Sequence, residues 1–344
     1  MDLRVVYFTV HDRYRRRLGW REARALEPWE LRASCVGAAR RAIPDFDDRI
    51  QVCTGFFGWA YWRLVLYCVA KKLAWCACTE GSRGGFFTWP LRVFFARLVN
   101  RYALGVFAIG SVACGQYAAW GVRRDKIAWH SHSTPVPERA RAERSVAEVG
   151  ARCTFVFCGA LTGRKAVKVL LRAFARVYAQ CEGVALRMVG DGPLRGWCEA
   201  FARKRLVPTE GAGAARQPVV MVGAVAPEQV EEELAQGDVI VLPSRYDAWG
   251  MTLAEGAAMG LAMIGSDRTG AAADLIQEGE NGYLVRAGDA EALAAAMLRY
   301  AERPEMAAEH GARARAAAER TFAAVRAREF ARQLGDFCDH RPRR

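Results

Sequence analysis

The sequence predicts an α/β protein with two domains, each built around a parallel sheet. Short runs that are apolar throughout alternate with segments in which apolar residues recur at the helical period, as in a parallel sheet covered by helices on both faces. The 344 residues exceed one core of ordinary size, which favours two domains. With 52% apolar and 25% charged residues, the composition excludes a disordered or fibrous protein.

The N-terminal half has four candidate strands, and its most apolar stretch is not expected to span a membrane. That stretch, residues 56–78, is interrupted by Arg63, Lys71 and Lys72, whereas a spanning helix needs about 20 continuous apolar residues. The N-terminus has a strand-like pattern and not that of a signal peptide. The candidate strands are LRVVYFTV (3–10), RIQVCTG (49–55), KLAWCACTEG (72–81) and LGVFAIGS (104–111).

The C-terminal half shows the alternation more clearly. A boundary in the polar, proline-containing segment near 135–150 gives domains 1–150 and 151–344. Helices over about 291–339, broken near Pro304 and Gly311, are expected to end with segments at about 320–340 that pack back on the N-terminal domain. The candidate strands are TFVFCG (154–159), ALRMVG (185–190), VVMVG (219–223), VIVLPS (239–244) and LAMIGS (261–266), with a helix from Val167 to Tyr178 after the first.

The net charge of +13 is concentrated in residues 1–150, which hold 24 Lys and Arg against 13 Asp and Glu, a net of +11. A field of this sign attracts phosphates, anionic lipid headgroups or nucleic acid. Eleven cysteines without a paired framework suit a reducing cytosol. Cys76 and Cys78 form a CxC, but no second ligand pair follows, so no metal site is expected.

The first motif is FVFCGALTGRKAVKVLL (155–171), in which a strand ends at Gly159 and a short loop carries Arg164 and Lys165 to a helix start. Glycine lets the backbone approach an anion, and a helix N-terminus carries partial positive charge. Two cations there suit a diphosphate. A solvated Arg-Lys pair without function is the alternative. The motif MVGDGPLRGW (188–197) departs from GxGxxG by one residue and indicates only a tight turn near a ligand crevice.

The third motif is SRYDAWGMTLAEGAAMGLAMIGSD (244–267). Gly250 allows a sharp turn into a helix starting at Met251, so Asp247 before the helix and Glu255 within it would face one crevice at the end of a strand. Carboxylates bind vicinal hydroxyls well, which makes a sugar and a ribose natural ligands. Alternatively, Asp247 caps the helix and Glu255 is solvated. The small and apolar neighbours of Glu255 argue against the latter.

These motifs, with GENGYLVRAGDAEAL further on, occur in the order found in the donor domain of retaining glycosyltransferases of family four, and residues 154–300 resemble that domain. The resemblance implies the GT-B fold, two Rossmann-like domains facing across a cleft. It implies a nucleoside-diphosphate sugar as co-substrate, retention at the transferred sugar, and neither a metal nor another cofactor. Asp247 and Glu255 match the family's two acidic residues separated by seven.

The resemblance implies that Asp247 faces the transferred sugar and that Glu255 binds the ribose of the donor. It also implies that Lys165 and Arg164 hold the diphosphate. Two positions depart from the family: Ala160 replaces a frequent arginine, and Ala262 replaces a proline. The donor-binding residues implied are Gly159, Gly190, Trp249, Gly250, Met251, Thr252 and Glu255.

The N-terminal half resembles the family less closely and is expected to bind the acceptor. Glu80 ends a strand roughly where relatives carry a catalytic-site histidine, and His11 follows the first strand, so they are candidate catalytic and acceptor-binding residues. Aromatic and basic residues interleave there, in the pattern of a membrane-interface surface. We therefore expect a saccharide or polyprenyl-diphosphate-linked acceptor, in envelope polysaccharide synthesis, and a cytoplasmic protein peripheral to the inner face of the plasma membrane. The alternative to a membrane-interface surface is that these aromatic residues only form the core of the domain.

Three other interpretations of the sequence remain. A sugar-nucleotide epimerase on the same fold would keep the donor site but need groups for proton transfer at the sugar. A non-catalytic basic binding protein would explain the charge and leave the acidic pair unexplained, and no nucleic-acid motif is present. The DxD at Asp45 and Asp47 is a short match to metal-dependent transferases, in a polar turn away from a nucleotide-binding strand.

Overall fold

The computed structural model describes residues 5–7, 30–33, 35–43, 45–54, 59–81, 89–132, 153–206, 218–323 and 327–339. The chain divides into two compact units. The first comprises residues 1–131 together with 325–344, and the second comprises residues 132–324.

The first unit is built around a four-stranded parallel sheet in the order β3-β4-β5-β6, and a parallel pair, β1-β2, accompanies it. Its strands are β1 (Val5–Tyr7), β2 (Glu30–Arg32), β3 (Gln51–Thr54), β4 (Trp75–Glu80), β5 (Val106–Ile109) and β6 (Ile127–His130). Its helices are α1 (Val36–Ala42), α2 (Trp59–Lys71), α3 (Trp89–Tyr102) and α4 (Ser111–Ala119), with α12 (Ala327–Asp339) from the end of the chain.

Two clusters on opposite sides of this sheet hold the first unit together. On one side, Trp75, Phe95 and Tyr117 are fully buried where β4 meets α3 and α4. On the other, Phe107 of β5 packs against α12, with ring centroids 4.5 Å from Phe330 and 5.2 Å from Phe337. The terminal helix thus completes the core of the unit that begins the chain.

The second unit contains a six-stranded parallel sheet in the order β12-β11-β10-β7-β8-β9. Its strands are β7 (Cys153–Cys158), β8 (Val184–Val189), β9 (Val219–Gly223), β10 (Val239–Leu242), β11 (Ala262–Ser266) and β12 (Gly282–Val285). Its helices are α5 (Val167–Tyr178), α6 (Arg195–Arg205), α7 (Val230–Leu234), α8 (Met251–Ala258), α9 (Gly270–Leu275), α10 (Ala290–Glu302) and α11 (Glu305–Ala323).

The strand order reverses between β7 and β10. From β7 the chain proceeds outward to β8 and β9, and from β10 it proceeds outward on the other side to β11 and β12. β7 and β10 are direct neighbours, with Val239 opposite Phe155. Loops that leave two such strands at their carboxyl ends diverge to opposite faces and open a crevice, which is where open α/β sheets bind ligands.

One expected helix break is wrong. Gly311 lies inside the uninterrupted helix α11. A Cβ at this position would overlap the carbonyl oxygen of Gly260, so the glycine allows α11 to approach the turn after α8 closely. The break at Pro304 is present, between α10 and α11. In the described part of the chain no helix has the length and apolar character needed to cross a membrane.

Candidate functional site

The loop after β7 presents a buried lysine. It runs from Gly159 through a turn to the start of α5, and the Lys165 side chain is only 11% exposed. The position that a Cβ of Gly159 would take lies 3.4 Å from Lys165 Cε, so the glycine leaves space beside the lysine stem. Arg164, the preceding residue, has a half-exposed side chain. The sequence motif therefore places one buried and one accessible cation at the carboxyl end of β7.

Asp247, in the loop after β10, faces both cations. Lys165 Nζ lies 2.5 Å from Asp247 Oδ2, and Arg164 Nη1 lies 3.4 Å from Asp247 Oδ1. Two hydrogen bonds join the two loops: the Arg245 amide donates to the Arg164 carbonyl at 2.8 Å, and Arg164 Nη1 of the side chain donates to the Tyr246 carbonyl at 3.0 Å. The structure thus brings these three charged residues together at the crevice between β7 and β10.

Asp247 does not cap the following helix. Helix α8 begins at Met251, its N-cap position is Gly250, and no side chain caps it. Gly250 has φ of 95°, a left-handed conformation that glycine adopts without strain. The Asp247 backbone is held instead by the Arg268 carbonyl, which accepts from its amide at 2.9 Å. The carboxylate is therefore oriented toward the cations, and the capping alternative is wrong.

Glu255, on α8, is half-buried, and Lys165 acts on its carboxyl. Burial raises the pKa of its carboxyl above the ordinary value; Glu231 raises the pKa further and Lys165 lowers it. Burial also raises the pKa of the Cys158 thiol, at the end of β7, to about 12, with Glu255 raising and Lys165 lowering the pKa. Because Lys165 lowers the pKa of Glu255 and both residues act on the pKa of one thiol, the two side chains lie near the end of β7.

Tight backbone packing supports the floor of the crevice. A Cβ at Gly190 would overlap the carbonyl oxygen of Gly159, so the loops after β7 and β8 approach each other with no space for a side chain. The Leu161 amide donates to the Asp191 carbonyl at 2.9 Å and fixes the same approach. Gly190, predicted to bind a donor, thus also has a direct structural reason to be glycine.

The first turn of α8 follows the loop that carries Asp247. The amides of a helix's first turn have no acceptor within the helix, and those of Gly250, Met251 and Thr252 belong to this turn. Among the described residues, the buried Thr252 Oγ1 and Trp249 Nε1 have no hydrogen-bond partner. Trp249 is fully buried, and its ring meets that of His132 edge-on, with centroids 6.5 Å apart. Any contact of Trp249 with a ligand would therefore involve its indole N–H or its backbone.

The two candidates from the N-terminal half lie elsewhere. Glu80 is the last residue of β4, at the carboxyl edge of the first unit's sheet, and its carbonyl accepts from the Tyr117 hydroxyl at 3.1 Å. His11 lies outside the described residues. Their roles stay predictions.

The carboxylates of the DxD are engaged within the protein. Asp47 pairs with Arg40 at 2.5 Å and accepts from the Tyr67 hydroxyl at 2.9 Å, and Asp45 pairs with Arg49 at 2.7 Å. These contacts give Asp45 and Asp47 a structural role in the turn before β3. In the described ranges no three His, Cys, Asp or Glu side chains are grouped as metal ligands would be.

Two residues near the crevice were not found from the sequence. The Ser244 hydroxyl donates to Asp247 Oδ2 at 3.4 Å, next to the lysine contact, and Glu231 of α7 raises the pKa of Glu255. Ser244 directly follows the apolar run of β10, a position at which a polar residue could have been noticed. Glu231 lies among neighbouring glutamates on a short helix, and no sequence signal distinguishes it.

The fold is that of GT-B glycosyltransferases, with two Rossmann-like units, as the sequence resemblance implied. A crystal structure of Anabaena Alr3699/HepE in complex with UDP and glucose matches with a TM-score of 0.67 at 16% identity, covering 87% of this chain and 81% of that chain. At this identity the likeness concerns the fold alone.

Residues 152–303, within the second unit, match the family model described as glycosyl transferases group 1. N-acetyl-alpha-D-glucosaminyl L-malate synthase of Bacillus anthracis is 30% identical over 151 residues, which are 44% of this chain and 36% of that protein. Lipopolysaccharide 1,6-galactosyltransferase of Escherichia coli K12 is 27% identical over 146 residues, 41% of this chain and 38% of that protein. The chain thus spans less than two fifths of the length of these curated relatives.

Proposed function

We propose that the protein is a retaining glycosyltransferase that moves a hexose from a nucleoside-diphosphate sugar to an acceptor in cell-envelope polysaccharide synthesis. The observation that carries this proposal is the convergence of Lys165, Arg164 and Asp247 at the crevice between β7 and β10, inside a glycosyl transferase group 1 domain. The relative named lipopolysaccharide 1,6-galactosyltransferase supports the reaction class.

The charges suit the parts of such a donor. The diphosphate would accept hydrogen bonds from Lys165, Arg164 and the first-turn amides of α8, a helix end that favours anions. Glu255 would accept hydrogen bonds from the ribose hydroxyls, and Asp247 would face the hexose. Without a donor Lys165 and Asp247 neutralise each other, so an arriving diphosphate would share the lysine with Asp247 or take it over.

In the reaction, the bond between the anomeric carbon and the diphosphate oxygen breaks, and its electron pair stays on that oxygen. The acceptor oxygen bonds to the same face of the anomeric carbon, and its proton passes to the departing phosphate. Negative charge grows on the diphosphate in the transition state, where Lys165 and Arg164 would stabilise it more than in the ground state. These fixed positive groups supply the stabilisation that a metal gives in other transferases, so we propose that no metal or other cofactor is required.

We further propose that the acceptor is a saccharide carried on a polyprenyl diphosphate and that the first unit binds it at the inner face of an anionic membrane. The excess of +11 in residues 1–150 supports a negatively charged surface as partner. Glu80, at the carboxyl edge of β4, and His11 are the acceptor-side residues of this proposal. The protein would be cytoplasmic and peripheral.

A thermal-shift panel of nucleosides, nucleoside diphosphates and sugar nucleotides identifies the donor, because a ligand that binds the folded state raises the melting temperature by mass action. Incubation of that donor with and without lipid-linked saccharides then separates the reactions. Free nucleoside diphosphate formed only with an acceptor supports the transferase. An altered sugar without transfer indicates an epimerase, and no stabilisation by any sugar nucleotide would overturn the proposal.

A further inference from the structure

Helix α2 of the first unit exposes an apolar and basic stripe. Trp59, Arg63 and Leu66 follow the i, i+4, i+7 spacing, so they lie on one face of the helix. Trp59 is 87% exposed and Leu66 is 51% exposed. Large apolar side chains at this exposure are not part of the core described above, and their alignment with an arginine indicates a contact surface.

Helix α3 extends this surface. Phe94, Arg97 and Arg101 are exposed at the i, i+3, i+7 spacing, and Trp89 and Leu91 are exposed in its first turn. The half-buried Trp62 of α2 connects the two helices, with its ring centroid 6.3 Å from that of Phe94. The α2–α3 surface is formed by Trp59, Arg63, Leu66, Trp89, Leu91, Phe94, Arg97 and Arg101.

The charge of this surface has one sign. Helices α2 and α3 contain five Lys and Arg residues and no Asp or Glu. Within the described residues, neither Arg63 nor Arg97 pairs with a carboxylate. A second copy of the same surface would bring these cations against each other, whereas anionic headgroups would neutralise them. Exposed tryptophans beside arginines are the residues that lie at the headgroup level of a bilayer.

The fold also places this surface relative to the sheet. Helix α2 follows β3 and helix α3 follows β4, and both strands run parallel, so both helices start on the side of the sheet's carboxyl edge. Glu80 ends β4 at that edge. The exposed Trp59 and Trp89 are the first residues of the two helices, so they lie at the end of the unit where Glu80 lies.

We propose that the α2–α3 surface docks on an anionic lipid bilayer, with Trp59, Trp89 and Phe94 at the headgroup level and Arg63 and Arg97 on phosphates. Docking in this orientation brings the carboxyl edge of the first unit's sheet, with Glu80, to the membrane. The claim that this surface delivers an acceptor to the enzyme rests on the proposed function. The docking itself depends only on the described side chains.

The test measures partitioning of the full-length protein onto sedimented vesicles of phosphatidylcholine with roughly one third phosphatidylglycerol, and onto vesicles of phosphatidylcholine alone. One double variant, Trp59→Ser with Phe94→Ser, removes apolar contacts, and a second, Arg63→Gln with Arg97→Gln, removes charge. Controls on the second unit are Val220→Ser with Leu284→Ser, each of which is 37% exposed, and Arg203→Gln with Lys204→Gln on α6. Circular dichroism and the thermal shift with nucleoside diphosphate report on folding and on donor binding.

Wild type is expected to bind the anionic vesicles at least about tenfold more strongly than the neutral ones, and less at high salt. Each surface variant should lose about tenfold or more of this binding, with its fold and nucleotide response unchanged, while both controls bind as wild type does. Equal binding to both vesicles, or wild-type binding by both surface variants, would overturn the proposal. Vesicle binding without any nucleotide response would leave the docking intact and remove the proposed transferase function.

Discussion

The ammonium nitrogen of Lys165 lies 2.5 Å from Oδ2 of Asp247, across the point where the strand order of the second unit reverses. The two residues are 82 positions apart in sequence, and only the adjacency of β7 and β10 makes them neighbours. Both side chains are largely buried, so the pair is screened less than a surface ion pair. An anionic donor that binds Lys165 would compete with Asp247 for the same ammonium group.

Replacing Lys165 by alanine is expected to lower turnover about 100-fold or more, because it removes one preorganised charge from the leaving diphosphate. The loss should appear in kcat more than in KM, since the charge grows in the transition state. The matched control is Arg176→Ala, which breaks an exposed ion pair with Glu291 on the outer helices and should leave both constants nearly unchanged. Steady-state rates with the donor selected by thermal shift decide it. If turnover of the Lys165 variant were within a few fold of wild type, Lys165 would have no important role in the reaction.

The variant Glu255→Gln tests how the partly buried carboxyl of Glu255 makes the free energy of unfolding depend on pH. The pKa of Glu255 is raised mainly by burial, so the folded state favours the protonated form. The stability that Glu255 contributes is fully present below its unfolded pKa and is lost as pH rises through the folded pKa. Glutamine stays neutral, so the free energy of unfolding of the variant should gain on that of wild type as pH rises above the ordinary glutamate pKa of about 4.3.

The same variant has a second expected effect. An ionised carboxylate accepts hydrogen bonds from ribose hydroxyls more strongly than a neutral acid does, so wild-type affinity for nucleoside diphosphate should increase as pH rises past the raised pKa of Glu255. The affinity of Glu255→Gln should lack this part of the pH dependence. Denaturant titrations and binding isotherms at matched pH values measure both effects. Parallel pH profiles for the two proteins would show that Glu255 does not titrate in the site.

Two glycines nearby should respond in opposite directions to alanine. Gly190 has φ of 126° and no space for a Cβ beside the Gly159 carbonyl, so Gly190→Ala should destabilise the second unit by about 2 kcal/mol or more. Gly196 lies in helix α6 with open space around its Cα, so Gly196→Ala should stabilise the unit by about 0.5–1 kcal/mol. Denaturant unfolding compares them. Equal effects of the two changes would contradict the close approach of the loops after β7 and β8.

The return of α12 to the first unit is tested by Phe337→Ala. Phe337 is buried against Phe107, and Gly105 leaves space for its ring, so the change should cost about 3–5 kcal/mol. The exposed Val112 of α4 provides the control, since Val112→Ala should cost less than about 1 kcal/mol. Thermal unfolding should show a lower melting temperature for the first unit. The transition of the second unit, which is the one that nucleoside diphosphate is expected to stabilise, should stay where it is. A shift in the nucleotide-sensitive transition instead would mean that α12 stabilises the second unit.

The sheet of the second unit could be largely predicted from the sequence, because its strands are buried on both faces and read as continuous apolar runs. Strands with weaker patterns were missed. β2 has only three residues, ELR, β6 is half-buried along its whole length, and the outer face of β12 exposes Leu284. Gly311 was taken for a helix break because the close contact that requires it, with Gly260, is made by a residue distant in sequence.

The candidate site was predicted as a set of residues but not as a set of contacts. Motif order indicated that Lys165, Asp247 and Glu255 share a crevice, and the strand order brings them together. The direct pairing of Lys165 with Asp247, and the influence of Glu231 on Glu255, depend on side-chain positions that no spacing rule contains. The capping alternative for Asp247 could be decided only once Gly250 was seen at the helix start.

Calorimetric titration of the selected nucleoside diphosphate and of its nucleoside tests the central claim most directly. Lys165→Ala should weaken binding of the diphosphate about tenfold or more and leave the nucleoside unaffected, while Glu255→Gln should weaken both. Losses of this pattern would place the phosphates on Lys165 and the ribose on Glu255. Unchanged diphosphate affinity in both variants would show that the crevice between β7 and β10 is not the donor site.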